Sequence, residues 1–312
     1  MEGRFFELDA AVQTLREREA RIAPKLVAEF RKKLDISMMY HDFALEGVVL
    51  AYSEIKAAID KNIISDVSLI PSYEELKCFD AAMSWVREQV PGAPAALAKD
   101  GSQKDGAGNS GATSAGPSNN SNNSNNSNNS NTSNNSNTSN NSNNNNKKKP
   151  LTLDSVKKLY SIISPDESET GFAVRKENPL HRLYYHEISP PDKIKPQLVK
   201  FQEWLEQDST CRMHPVDRAA RAHYRLMNIF PWTSNMGRVA RVFSNLMLLR
   251  DGYPLAIVHS SDRQRYYEML RGENNGLVPL YVEASIATAE TALKFYDEAR
   301  ASASKLNRRA AG

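Results

Sequence analysis

Three scarcities bound what this chain is. Its 312 residues hold only two cysteines, Cys78 and Cys211, far apart in the sequence. Two isolated thiols make neither a disulfide framework nor a zinc site. A reducing, cytoplasmic setting is expected, with both thiols buried as small apolar groups. Long apolar runs are missing: none approaches the ~20 residues that span a bilayer. The first thirty residues are charged throughout and lack the apolar centre of a signal peptide. Charge of one sign is scarce as well. Forty Lys and Arg face 37 Asp and Glu, a formal net charge of +3. That balance is too mild to argue for a nucleic-acid partner. Neither a membrane nor a nucleic acid is therefore expected among its partners.

One composition shift dominates what is present. Residues 98–149 are first rich in Gly, Ser and Ala, then run into Asn and Ser, and close on Lys147, Lys148 and Lys149. Nothing in that stretch can bury a core, so a disordered linker is expected. The alternative is an Asn-rich assembly segment. The insert divides the chain into an N-terminal part, 1–97, and a C-terminal part, 150–312.

Both parts read as helical. Leu8, Val12, Leu15, Ile22, Leu26 and Phe30 recur at near-helical spacing, with Pro24 breaking or kinking the pattern. A second segment is expected from Ser37 to Ile59. The run Ser72-Tyr73-Glu74-Glu75 is a capping-box pattern opening a third. Beyond the insert, Leu151–Ile163 reads as a helix with Thr152 as its cap. Residues 171–188 lack helical periodicity and read as a hairpin or loop. Pro191 suits the start of the next helix. Val216, Ala219, Ala220, His223, Met227 and Phe230 form one apolar stripe. Val239, Val242, Phe243, Leu246 and Met247 form another, stopped at Asp251-Gly252.

Between the last two stripes lies Pro231-Trp232-Thr233-Ser234-Asn235-Met236-Gly237-Arg238. Arg238 and Arg241 stand three apart on one face of the following helix. A helix mouth offers unpaired N–H groups and partial positive charge, and two guanidiniums beside it suit an anion. The plainer reading pairs both arginines with carboxylates of other helices.

The stretch Phe230 to Arg241 resembles the motif HPFx(D/E)GNGRxxR of the Fic/Doc (Fido) family, retaining its Pro, its second Gly and both Arg. The flanks resemble it more fully: His214 to Ile229 before the motif, Phe243 to Pro254 after it, and the run around Tyr266 and Tyr267. Gly171 to Arg175 resembles the start of the segment leading to the family's target-binding flap. In the N-terminal part, Asp42-Phe43-Ala44-Leu45-Glu46-Gly47 resembles the inhibitory motif (S/T)xxxE(G/N), except at Asp42. The likeness spans about 35–97 and 150–290. It implies an all-α, Fic-type helical bundle with a small β-hairpin flap, interrupted by the disordered linker.

What the resemblance implies about chemistry depends on the departures. The family transfers AMP from ATP to a protein hydroxyl, and its motif His is the base; Phe230 stands there and cannot take a proton. Its acidic residue holds Mg²⁺; Ser234 is a poor ligand for a hard cation, so Mg²⁺ is not expected and no metal ligand is assigned. Met236 replaces the Asn that helps hold the phosphates. Asn235 replaces the first Gly but tolerates a left-handed backbone. The cradle left for phosphate or nucleotide is Asn235, Gly237, Arg238 and Arg241, with ATP its implied ligand. Glu46 and Gly47 are the implied inhibitory residues, Glu46 pairing with Arg241. Of the histidines, His223 lies on an apolar stripe, His181 and His186 lie in the expected flap, and His259 is isolated. Asp262 is expected to cap the helix after it. The expected function is that of a pseudoenzyme related to protein adenylyltransferases, acting through a protein partner, with a homodimer left open. The alternative is an active nucleotidyl transferase with divergent chemistry. A third reading is a purely structural domain in which Glu46 and Arg241 join two halves.

Overall fold

A computed structural model describes residues 1–60, 72–90, 150–168, 171–179, 186–272 and 276–310. All of them belong to one compact unit; the second unit, Pro94–Lys148, lies outside the described residues, and with it most of the expected linker. The unit is all-α. Its helices are α1 Glu2–Glu19, α2 Pro24–Leu45, α3 Tyr52–Ile59, α4 Tyr73–Glu88, α5 Leu153–Ile163 and the short α6 Pro165–Ser168. Then follow α7 Pro191–Glu206, the short α8 Asp208–Cys211, α9 Pro215–Ile229, α10 Met236–Arg250, α11 Arg263–Arg271 and α12 Val278–Ala310.

Helix α10 is the axis of the bundle. Every residue from Met236 to Leu248 is buried, including the polar Arg238, Arg241, Ser244 and Asn245, which must therefore find partners inside the bundle. It packs on α9, α5 and α4, while α1 lies along α12. Where α1, α2 and α12 meet, Leu15, Val27, Phe30, Ala289, Ala292 and Tyr296 form a satellite cluster. The main core gathers the inner faces of the other helices around Phe43, Phe79, Phe201 and Phe243.

Several local expectations change. Of the two alternatives at Pro24 the break holds and the kink does not: α1 ends at Glu19, and Pro24 is the first residue of α2, where its missing N–H costs nothing. Helix α2 then runs unbroken to Leu45, so the segment expected at 37–59 is two helices separated at Glu46–Ala51. Gly47 makes that break, at φ +93°. Ser72 precedes α4 as expected but makes no side-chain cap bond. The same holds for Asp262 before α11. Of the two thiols, Cys78 is half-buried and Cys211, closing the four-residue α8, is exposed. Among the described residues there is no strand, and the expected hairpin is not seen; its residues 180–185, with His181, lie outside them. No described helix is long and apolar enough to cross a membrane.

Candidate functional site

The α9–α10 loop has two different walls. Toward α2 the wall is charged. Arg238 donates from Nε to Asp42 Oδ2 at 2.8 Å, and Arg241 donates from Nε to Asp42 Oδ1 at 2.6 Å. One carboxylate therefore serves both guanidiniums, with its side chain 1% exposed and theirs 3% and 4%. Arg241 Nη2 donates to Glu46 Oε1 at 2.8 Å, and Arg238 Nη1 donates to Glu75 Oε2 at 3.2 Å. Arg238 also lies over the Phe43 ring, 4.2 Å from its centre. Burial works against the charge on Arg241, but Asp42, Tyr266 and Glu46 outweigh it and hold its pKa well above the usual guanidinium value.

Glu46 seats its carboxylate at the mouth of α10. A Cβ built on Gly237 would come within 2.5 Å of Glu46 Oε1 and 2.9 Å of Arg241 Nη1. A side chain at this position would therefore have to push the Glu46 carboxylate and the Arg241 guanidinium aside.

Behind Arg241 the donors and acceptors form a directed ring. Arg241 Nη1 donates to Tyr266 OH at 3.4 Å, and Tyr266 OH lies 2.8 Å from His223 Nε2. His223 Nδ1 lies 2.5 Å from Tyr281 OH, which lies 2.7 Å from Ser244 Oγ; Ser244 Oγ donates to the Arg241 carbonyl at 2.9 Å. Ser244 has spent its one proton, so Tyr281 donates to it, and His223 must carry its proton on Nδ1. His223 is thus a satisfied core histidine. Burial, with the charges of Arg241 and His186, holds its pKa well below the usual value.

The opposite wall is apolar and aromatic. Phe230 is fully buried and ends α9 in a left-handed conformation, φ 44°. Arg175 braces this turn: its Nε donates to the Phe230 carbonyl at 2.7 Å, and its backbone N–H donates to the Pro231 carbonyl at 2.9 Å. Trp232 stacks on Tyr160 with ring centres 4.2 Å apart and touches Phe172. Met236 is fully buried. Ser234 Oγ donates to Glu167 Oε1, and Tyr160 OH donates to Glu167 Oε2. Asn235 takes φ 54° and donates from Nδ2 to Ser164 Oγ at 2.8 Å. Helix α10 therefore starts from a loop that is plugged by its own side chains.

The loop brings together Asn235, Gly237, Arg238, Arg241 and Glu46, all singled out from the sequence. Asp42, Glu75 and Glu167 were not. Asp42 carried a signal nonetheless: it stands where the inhibitory motif has a hydroxyl, in the last turn of α2, just before its C-cap Glu46. His186 points away from any hydroxyl chemistry, with Nε2 3.0 Å from the Met227 carbonyl. Among the described residues, no group of three or more His, Cys, Asp or Glu side chains forms a metal site.

The arrangement of the bundle defines a class. It matches a Fic domain containing signaling protein from Bacteroides thetaiotaomicron at TM-score 0.66, with 17% identity, covering 95% of this chain and 98% of that one. It also matches Fic-1 (aa134–508) from C. elegans at TM-score 0.63, with 18% identity, covering 94% and 71%. The fold is thus the all-α Fic fold. Residues 150–248 match the model of the Fic/DOC family, and the chain carries a Fic/DOC-family domain there. Among curated relatives, a protein adenylyltransferase Fic of Drosophila ananassae is 34% identical over 106 residues, 34% of this chain and 21% of that protein. A protein adenylyltransferase fic-1 of Caenorhabditis briggsae is 33% identical over 117 residues, 37% and 23%. The chain spans about a fifth of the length of these relatives.

Proposed function

We propose that this Fic-fold protein is a pseudoenzyme that acts by holding a protein partner, its nucleotide cradle closed by its own carboxylates. The observation that carries the reading is Asp42, which occupies both motif arginines from within the core. With Nε on Asp42 and one Nη on Glu75 or Glu46, each guanidinium offers a phosphate only a partly occupied fork. Nucleotide phosphates reach Asn235, Gly237, Arg238 and Arg241 only where Asp42 and Glu46 withdraw.

Base and metal chemistry are missing from the same loop. Phe230 has no proton acceptor, and a general base typically contributes about 10²–10⁴-fold. The donor set does not fit Mg²⁺, a hard cation that takes carboxylate or phosphate oxygens. Ser234 at the motif's acidic position is neutral and spends its proton on Glu167, whose carboxylate is engaged by Ser234 and Tyr160. No step is therefore routed through a metal here.

The test is label transfer. Wild type and Glu46→Gly, incubated with α-labelled ATP, Mg²⁺ and a cell lysate, should leave every protein unlabelled. A labelled protein in either reaction overturns the reading. A second reading, an active AMP transferase with divergent chemistry and Glu46 as its gate, draws on one observation: Glu46 is 22% exposed and pairs with Arg241 at the rim. On that reading Glu46→Gly labels a target and Arg238→Ala abolishes the label.

A further inference from the structure

One structure outside the loop bears on whether α2 stays in place. His41 precedes Asp42 on α2, and its ring stacks on His259 with centres 4.2 Å apart and an interplanar angle of 23°. The Ser260 backbone N–H donates to His41 Nδ1 at 3.2 Å, with Ser260 Oγ 3.3 Å from the same atom. Because Nδ1 accepts, neutral His41 carries its proton on Nε2. A second proton has to go on Nδ1. It would face the Ser260 N–H with another N–H and set a cation against the His259 ring.

We propose that His41 and His259 form an acid-released latch that holds α2 against the 255–262 segment and so keeps Asp42 and Glu46 on the arginines. The second half of that statement rests on the closed-cradle reading above; the latch itself does not. Its other neighbours do not supply the response. Asp262 lies in the turn after Ser260, Arg263 starts α11, and Asp35 pairs with Arg87 between α2 and α4. Of the ionisable groups around His41, His259 is the one whose charge bears on it, adding to burial in lowering its pKa to about 4. Tyr40 meets the ring only edge-on. The last turn of α2 is tied independently, since Arg263 Nε donates to the Leu45 carbonyl at 2.9 Å and Tyr267 OH at 3.3 Å. Release therefore begins at His259–Ser260 and loosens the C-terminal part of α2 around His41 first, ahead of its tied end at Leu45.

Hydrogen exchange of the full chain at pH 7.5 and 5.0, normalised for intrinsic rates, tests this. At pH 5 a freed imidazole of pKa ~6.5 is about thirtyfold more protonated than neutral. Peptides covering 36–45 and 255–262 should therefore open up to about thirtyfold more often, with α5 and α7 unchanged. His41→Gln should remove that response. Equal opening at the two pH values in wild type, or the same response in His41→Gln, overturns the latch. Should His41→Gln fail to fold, nitrogen chemical shifts of wild-type His41 decide: an Nε2–H tautomer titrating well below 6.5 supports the latch, and an Nδ1–H tautomer or titration near 6.5 refutes it. Inorganic tripolyphosphate titrated at both pH values reports on the cradle separately. Opening without tripolyphosphate binding refutes the reading of the arginines and leaves the latch; no opening refutes the latch alone.

Discussion

The two walls of the α9–α10 loop have diverged in opposite ways. On the wall facing α2 positive charge is kept, and a carboxylate has been added in the core to match it. On the wall facing α5 and Phe172 the motif's His and Asn positions hold Phe230 and Met236, which are buried beside Trp232, an aromatic at the motif's aromatic position. The comparison teaches that a buried charge and a buried apolar side chain settle a loop by different means. Arginines in a core cannot be left bare, because an uncompensated buried charge is costly. Asp42 supplies the compensation. An imidazole or a metal-binding acid has no such obligation to stay, and hydrophobic replacements stabilise the position directly.

Breaking each wall should show the difference. Asp42→Ala takes the buried partner from two guanidiniums at once, leaving them only Glu75 and Glu46, and should cost about 3–5 kcal/mol in chemical denaturation, the usual penalty for removing one partner of a buried pair. Trp232→Ala opens a cavity against Tyr160 and should cost about 3 kcal/mol, with no change in the salt dependence of stability. Acid sharpens the contrast. His41 has a folded pKa of about 4 against ~6.5 unfolded. The unfolded chain therefore binds more protons as pH falls, and stability present above 6.5 is lost progressively toward 4. After discounting for its half exposure the loss is about 1–2 kcal/mol, read as a falling midpoint in denaturant series; His223, also depressed, acts in the same direction. Glu46→Gly should matter least, below about 1 kcal/mol, since Asp42 still holds both arginines and Glu46 sits at the rim.

Helices α9 and α10 were legible from their 3.6-residue stripes, and the loop between them from its glycine and paired arginines. The Glu46–Arg241 contact, 195 residues apart in sequence, was legible only through family resemblance. Periodicity carries no record of such a long-range pairing. Asp42 was visible as a mismatch to the inhibitory motif, yet its meaning was not. A single acid at a helical position reads as solvated until the fold places it between two guanidiniums. Glu75 shows the reverse error. Its place in Ser72-Tyr-Glu-Glu75 suggested a capping box, but the side chain pairs with Arg238 and the cap bond is not made. Pro24 marks a real interruption, since α1 ends at Glu19 and α2 opens at the proline; a kink and a break look alike from a proline in a helical pattern, and the structure chose the break. Glu167 left no trace at all, since a four-residue helix has too few positions to show a period.

The central claim is that both motif arginines are already spent on the chain's own carboxylates. Calorimetric titration of ATP, with and without Mg²⁺, into wild type and into an Asp42→Ser, Glu46→Gly double variant tests it most directly. The account predicts no saturable heat for wild type under either condition, and binding that emerges in the double variant without dependence on Mg²⁺. Saturable ATP binding to wild type at neutral pH, strengthened by Mg²⁺, would contradict it.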